Sequence, residues 1–253
     1  MSGSPEDASP SDAAYRFDWG LDGLHALAPD CDVIVVVDVL RFTTAVSAAI
    51  DAGATVFPYR WEDARAGNYA AEHDAVLAGR REDGGPSLSP TGLAETAPGT
   101  RIVLPSPNGS TIAFEAQDRG VPFVLAGSLS NARATARRAR ALAHGGVIGV
   151  IAAGEQWGSR PLRPALEDLL GAGAVLASLD PSAAVAHPRC SPEAAAARAA
   201  FIDARPSLTT RLLECVSGRE LVARGWADDV EYAARLDRSD RAAQLVDDAF
   251  VGV

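Results

Sequence analysis

Asp38 closes the apolar run Val33-Ile34-Val35-Val36-Val37 and is followed at once by Val39-Leu40-Arg41-Phe42-Thr43-Thr44. These residue types at this spacing could handle an anionic ligand. A carboxylate can help hold a hard cation, a guanidinium can grip an anion in a planar fork, and hydroxyls and free N–H groups at a helix start can donate to oxygens. The plainer reading is that Asp38 and Thr43 only cap the helix, a position that Asp and Thr favour.

Similar groups recur along the chain. Gly79-Arg80-Arg81 offers two more guanidiniums, and Gly154-Glu155 another carboxylate. Ser106-Pro107-Asn108-Gly109-Ser110-Thr111 is a candidate anion cradle at a helix start, where Gly109 allows close backbone approach and Asn108 and Ser110 can donate. Gly127-Ser128-Leu129-Ser130-Asn131 has the same character, although helix capping explains Ser130 and Asn131 equally well. Glu167 and Asp168 follow Pro164 in the first turn of a helix. There they either face a crevice or simply complement the helix dipole.

The elements that must position these groups alternate regularly. Five consecutive β-branched residues read as a strand buried on both faces, as in a parallel sheet covered by helices. Strands are expected at 33–37, 55–58, 75–78, 101–104, 122–126 and 146–153, with helices at about 42–52, 62–73, 110–117, 132–143 and 164–178. Such alternation indicates βαβ units and an α/β fold with a mostly parallel sheet. Every polar motif falls just after a strand. In a parallel sheet those ends share one edge, so the motifs are expected to converge in one cleft. Beyond Asp180 the pattern turns to short helices at 192–203, 206–215 and 218–224, so 180–253 is expected to be mainly helical. Residues 1–12 are rich in Ser, Pro, Asp and Ala and are expected to be disordered, leaving 13–253 as a single domain.

Composition narrows the function. A net charge of -10 argues against a nucleic-acid surface, which would be basic. No apolar stretch approaches the roughly 20 residues that span a bilayer. The acidic N-terminus is unlike a signal peptide, and Cys31, Cys190 and Cys215 form no CxxC pair. A cytoplasmic protein without a zinc ribbon is expected. All 23 basic residues are arginine, which removes Schiff-base chemistry, a P-loop lysine and a lysine base together. His25, His73, His144 and His187 are scattered and suggest neither a histidine metal site nor a Ser-His-Asp triad.

Taken in order, Asp38-Val39-Leu40-Arg41-Phe42-Thr43-Thr44, Ala78-Gly79-Arg80-Arg81, Pro107-Asn108-Gly109-Ser110, Gly127-Ser128-Leu129-Ser130-Asn131, Ala153-Gly154 and Ala165-Leu166-Glu167-Asp168 resemble the 2-phosphosulfolactate phosphatase family. Ser217-Gly218-Arg219-Glu220-Leu221 and Gly225-Trp226-Ala227-Asp228-Asp229-Val230 resemble its C-terminal pattern, so the likeness runs from about Val33 to Val230. It departs at Gly79-Arg80-Arg81, where the family usually has Gly-Glu-Arg, and at Ser106-Pro107, where it has Thr-Thr.

The resemblance implies a three-layer α/β/α fold with a mostly parallel or mixed sheet, and self-association, here expected as a homodimer. It implies a magnesium-dependent phosphatase acting on a small phosphorylated, sulfonated hydroxy acid, which serves coenzyme M biosynthesis where that cofactor is made. Asp38, Glu167 and Asp168 would then hold Mg2+, and Asp38, Arg41, Glu167 and Asp168 would form the catalytic group. Thr43, Thr44, Arg80, Arg81, Asn108, Gly109, Ser110, Ser128 and Asn131 would bind substrate. Two routes stay open: direct attack of water on phosphorus, and an aspartyl-phosphate on Asp38. The second lacks the supporting lysine and the second Asp two residues on, where this chain has Leu40. A non-catalytic anion-binding protein derived from the same family is the alternative to an enzyme.

Overall fold

Strands and helices alternate as expected in the computed structural model, which describes residues 13–60, 65–156, 162–181 and 189–253. The chain opens with β1 (Tyr15–Trp19) and α1 (Gly20–Leu27), which sequence reading missed, then β2 (Val33–Val37), α2 (Phe42–Asp51), β3 (Thr55–Tyr59), α3 (Arg65–Glu72) and β4 (Val76–Leu77). A polar loop carries the short helix α4 (Pro90–Leu93). Next come β5 (Arg101–Pro105), α5 (Gly109–Asp118), β6 (Phe123–Gly127), α6 (Ala132–Ala143) and β7 (Ile148–Ala152). A small ribbon of β8 (Glu155–Gln156) and β9 (Leu162–Arg163) leads into α7 (Leu166–Leu179). Helices α8 (Pro192–Ala204), α9 (Leu208–Glu214), α10 (Val216–Ala223) and α11 (Ala227–Ala233) follow, and a hairpin of β10 (Ala243–Val246) and β11 (Ala249–Gly252) closes the chain. The segment expected to be disordered, 1–12, the first residues of the helix expected at 62–73, and His187 lie outside the described residues.

The alternation of side chains along β2 explains its apolar run. Val33, Val35 and Val37 enter one core with α6, α7 and α8. Ile34 and Val36 enter the other, with α1, α2 and α5. Helices therefore cover both faces of the sheet, giving the three-layer α/β/α architecture. At 0% exposure for all five residues, a polar substitution on either face would leave a group without water or partner. Gly171 lets α7 press onto β2, since a Cβ there would lie 2.5 Å from Val39 Cγ2 and 2.9 Å from Val37 Cγ1.

Sheet direction departs from expectation. The order is β1-β7-β2-β6-β10-β11-β3-β5-β4. β1, β7, β2 and β6 are mutually parallel, as are β3, β5 and β4. Between these blocks sits the C-terminal hairpin, antiparallel to β6 on one side and to β3 on the other. The two blocks therefore run in opposed senses, and the strand ends do not share one edge of a parallel sheet. Twist of about 20–25° per strand accumulates over the five steps from β2 to β5 and swings the second block across the first. The C-terminal part is helical only through Ala233. Its last strands form the seam of the sheet, and alternation over so few residues is a weak signal. Among the described residues no helix is long and apolar enough to cross a membrane.

Candidate active site

Asp38 follows β2 and is only 6% exposed. Its Oδ1 accepts from Phe42 N–H at 3.1 Å and its Oδ2 from Gly109 N–H at 3.1 Å. It thus caps α2 and also ties down α5, the helix of the other strand block. Gly109 is required there because a Cβ would lie 2.3 Å from Phe42 Cδ1 and 2.9 Å from Asp38 Oδ2. The close approach predicted at Gly109 is real, but its N–H serves Asp38 and not an external anion. Asn108 donates to Glu155 Oε2 at 3.2 Å, and Ser110 Oγ is buried without a partner.

Glu167 and Asp168 open α7, and both are buried. Asp168 Oδ1 accepts from Val39 N–H at 2.7 Å and Oδ2 from Gly154 N–H at 2.9 Å, which joins the ends of β2 and β7. Glu167 Oε2 is buried with no hydrogen-bond partner. Burial, backed by neighbouring carboxylates, raises three acids here, Asp38, Glu155 and Asp168. Asp38 is pushed up to about 6 by desolvation, against the opposing Phe42 and Gly109 N–H groups and Arg41, with Glu167 adding to the rise. Glu155 is pushed up to about 7 by burial and by the charges of Asp38 and Glu167. Asp168 rises well above the usual carboxylate range, through burial and then Asp38 and Glu167. Four carboxylates thus share one field that a cation or protons would relieve. Glu155 belongs to this group although its β8 position gave little sequence signal beyond its place after Gly154.

A separate cavity of about 920 Å³ is lined by Arg41, Arg80, Arg81, Arg224 and Trp226 among others, and by none of the four carboxylates. Arg41 follows Asp38 by three residues and lines the cavity, where its guanidinium lies 4.7 Å from the Trp226 ring centre. The hub is Asp229, fully buried at the start of α11. It accepts from Arg41 Nη1 at 2.9 Å, Arg81 Nη1 at 3.1 Å, Ser89 Oγ at 2.6 Å and Thr91 Oγ1 at 2.9 Å. Arg81 also pairs with Asp228. Asp229, Asp228 and Trp226 enter the sequence reading only as part of a pattern, and Arg224 only as the end of the helix expected at 218–224. Their roles depend on the C-terminal helices folding back over α4, which no local spacing reveals.

Other expected substrate contacts lie elsewhere. Thr43 and Thr44 are fully buried, and their hydroxyls donate to the Asp38 and Val39 carbonyls at 2.8 Å each. Ser128 and Asn131 form a capping box beneath the sheet edge and are likewise fully buried. Asn131 further donates to the Ala126 carbonyl at 3.1 Å. The hydroxyls of Thr43 and Thr44 are thus spent on nearby backbone, and Ser128 Oγ on Ser130 and Asn131, so these side chains order the turns after β2 and β6.

Buried carboxylates and a guanidinium-lined cavity, on a three-layer α/β/α frame, are what the site presents. The chain belongs to the 2-phosphosulpholactate phosphatase family, whose model matches residues 24–248. A protein of Gloeobacter violaceus named probable 2-phosphosulfolactate phosphatase is 32% identical over 221 residues, covering 83% of this chain and 85% of that one. A Thermus thermophilus protein of the same name is 36% identical over 160 residues, covering 60% of this chain and 63% of its own length.

Proposed function

We propose that this protein hydrolyses the phosphate monoester of 2-phosphosulfolactate, giving sulfolactate and phosphate, with a bound magnesium ion. The observation that carries this is the place of one residue, Arg41, which follows the buried Asp38 by three residues and lines the guanidinium cavity. A substrate bearing phosphate, sulfonate and carboxylate has about four negative charges near neutral pH. An acidic protein binds it only by concentrating donors locally, as Arg41, Arg80, Arg81 and Arg224 do here.

The donor set suits a hard cation. Glu167 Oε2 is a buried oxygen without a partner, and the adjoining groups are carboxylates. Among the described residues no three His, Cys, Asp or Glu side chains are grouped to enclose a metal ion. Both oxygens of Asp38 and of Asp168 already accept from backbone N–H groups, so Glu167 Oε2 is the oxygen left to meet a cation. Glu167 would hold magnesium, which commonly takes one or two carboxylates and completes its shell with water and substrate oxygens, while Asp38 and Asp168 fix the backbone around it. Bound there, it would polarise the phosphoryl group and offset charge.

Direct attack by water is the favoured route. Both Asp38 oxygens are held by backbone N–H groups, which lowers their nucleophilicity and fixes them as orienting groups. Glu155, partly exposed and lifted to about 7, is the carboxylate best matched to taking or giving a proton near neutral pH. Arg41, fixed by Asp229, would stabilise the charge that spreads over the equatorial phosphoryl oxygens. Phosphate release from a panel of phosphorylated hydroxy acids, with magnesium and with chelator, tests the proposal. Release from 2-phosphosulfolactate above the others supports it. Saturable binding without release would make the chain an anion-binding protein instead.

A further inference from the structure

Among the guanidiniums of the cavity, Arg41 and Arg81 are committed to Asp229 and Asp228. Arg80 and Arg224 are not. Arg224 is exposed, it lines the cavity, and it makes no ion pair among the described residues. Its guanidinium carbon lies 5.6 Å from the centre of the Trp226 ring. Arg41 sits against the same ring at 4.7 Å. Two cations therefore share one aromatic surface, and only one of them has a carboxylate. Like charges so placed repel until an anion comes between or beside them. Glu82 and Asp83 also line the cavity, yet neither pairs with Arg224.

Position separates the roles of the two arginines. Arg41 is the one whose charge reaches Asp38. Arg224 leaves the end of α10, on the segment that carries Trp226 and Asp229 into the site. We infer that Arg224, stacked on Trp226, grips the sulfonate of the substrate and so selects a sulfonated ester over an unsulfonated one. The inference rests on the phosphatase reading above for the identity of the substrate. A guanidinium suits this task because its fork matches an oxyanion, and because an aromatic face holds it in place without neutralising it.

Calorimetric titration with the product-side ligands sulfolactate and lactate, and with inorganic phosphate, tests this without requiring turnover. Wild-type protein should bind sulfolactate more tightly than lactate. Arg224→Gln should weaken sulfolactate by about 10- to 100-fold, the scale of one charge-assisted hydrogen bond. Lactate and phosphate should change by no more than about twofold, a shift well under the tenfold that 1.4 kcal/mol represents. Arg224→Lys should recover part of the loss, since it restores charge without the fork. Unchanged sulfolactate binding in Arg224→Gln would overturn the inference. So would an equal loss for phosphate, or a wild-type protein indifferent to the sulfonate. Thermal melting of each variant guards against misfolding, to which an exposed position is little prone. Failure of the catalytic reading would look different: sulfonate discrimination intact, with no phosphate released from 2-phosphosulfolactate.

Discussion

Replacing Asp229 by asparagine keeps the side chain's shape and removes its charge. Four donors converge on this fully buried carboxylate: the guanidiniums of Arg41 and Arg81 on Oδ2, and the hydroxyls of Ser89 and Thr91 on Oδ1. An amide offers one acceptor oxygen and turns an NH2 toward donors. If the oxygen stays with the hydroxyls, both arginines lose their partner. The Arg41 side chain is 13% exposed and the Arg81 side chain 29%, so water replaces the carboxylate poorly at Arg41 and better at Arg81. Breaking a buried pair by removing one partner costs about 3–5 kcal/mol. Most of that should fall on the Arg41 contact, with Asp228 keeping part of the hold on Arg81. The unfolding free energy of Asp229→Asn should therefore drop by about 3 kcal/mol in urea or guanidinium titration. kcat/KM for phosphate release should fall about 100-fold, as for a misplaced electrostatic contributor. A cycle with Arg41→Gln isolates the pair, and a coupling of about 1–3 kcal/mol is expected. Additivity within about 0.5 kcal/mol would show that Asp229 does not position Arg41.

Asp38→Asn should lower turnover by at least about 100-fold while the protein stays folded, and near-wild-type phosphate release would remove Asp38 from the catalytic group. Gly109→Val should be destabilising as well as harmful to function, by about 1–3 kcal/mol or more, because its side chain must displace the buried Phe42 ring; an unchanged urea midpoint would contradict the packing. Dialysis against chelator should abolish turnover and magnesium should restore it, whereas full activity in protein shown metal-free by elemental analysis would exclude the ion. For pH, the sign follows from a carboxyl raised in the folded state. Burial pushes Asp38 up to about 6 in the folded protein, so folding favours its protonated form, and stability should fall as pH rises from about 4 through 6. Melting curves in chelator should show this slope, and it should flatten in Asp38→Asn; an identical slope in the variant would assign the effect to other groups.

The residues of β2 by themselves determined the centre of this fold. Five β-branched residues can be satisfied only where both faces are covered, and alternate side chains do enter two cores. Asp38 was legible as a charge at the end of that strand, where a carboxylate is rarely idle, whereas the position of Glu167 and Asp168 in the first turn of α7 was legible but left a crevice and the helix dipole as alternatives. Capping and binding use the same residue types, so sequence left open which role each polar motif plays. Tertiary packing decided for the ordering of local turns at Thr43, Thr44, Ser128 and Asn131, whose hydrogen bonds close on nearby residues. It decided otherwise at Gly109, whose N–H crosses between the two strand blocks to Asp38. The direction of the blocks was also beyond local pattern. It is set by a hairpin near the C-terminus that enters the middle of the sheet, a pairing more than a hundred residues distant from its neighbours β6 and β3 in sequence. Asp229, Trp226 and Arg224 belong to the same class of fact. Their spacing describes only a helix start, and their chemistry arises because α11 closes over α4 and carries a buried carboxylate to two distant arginines.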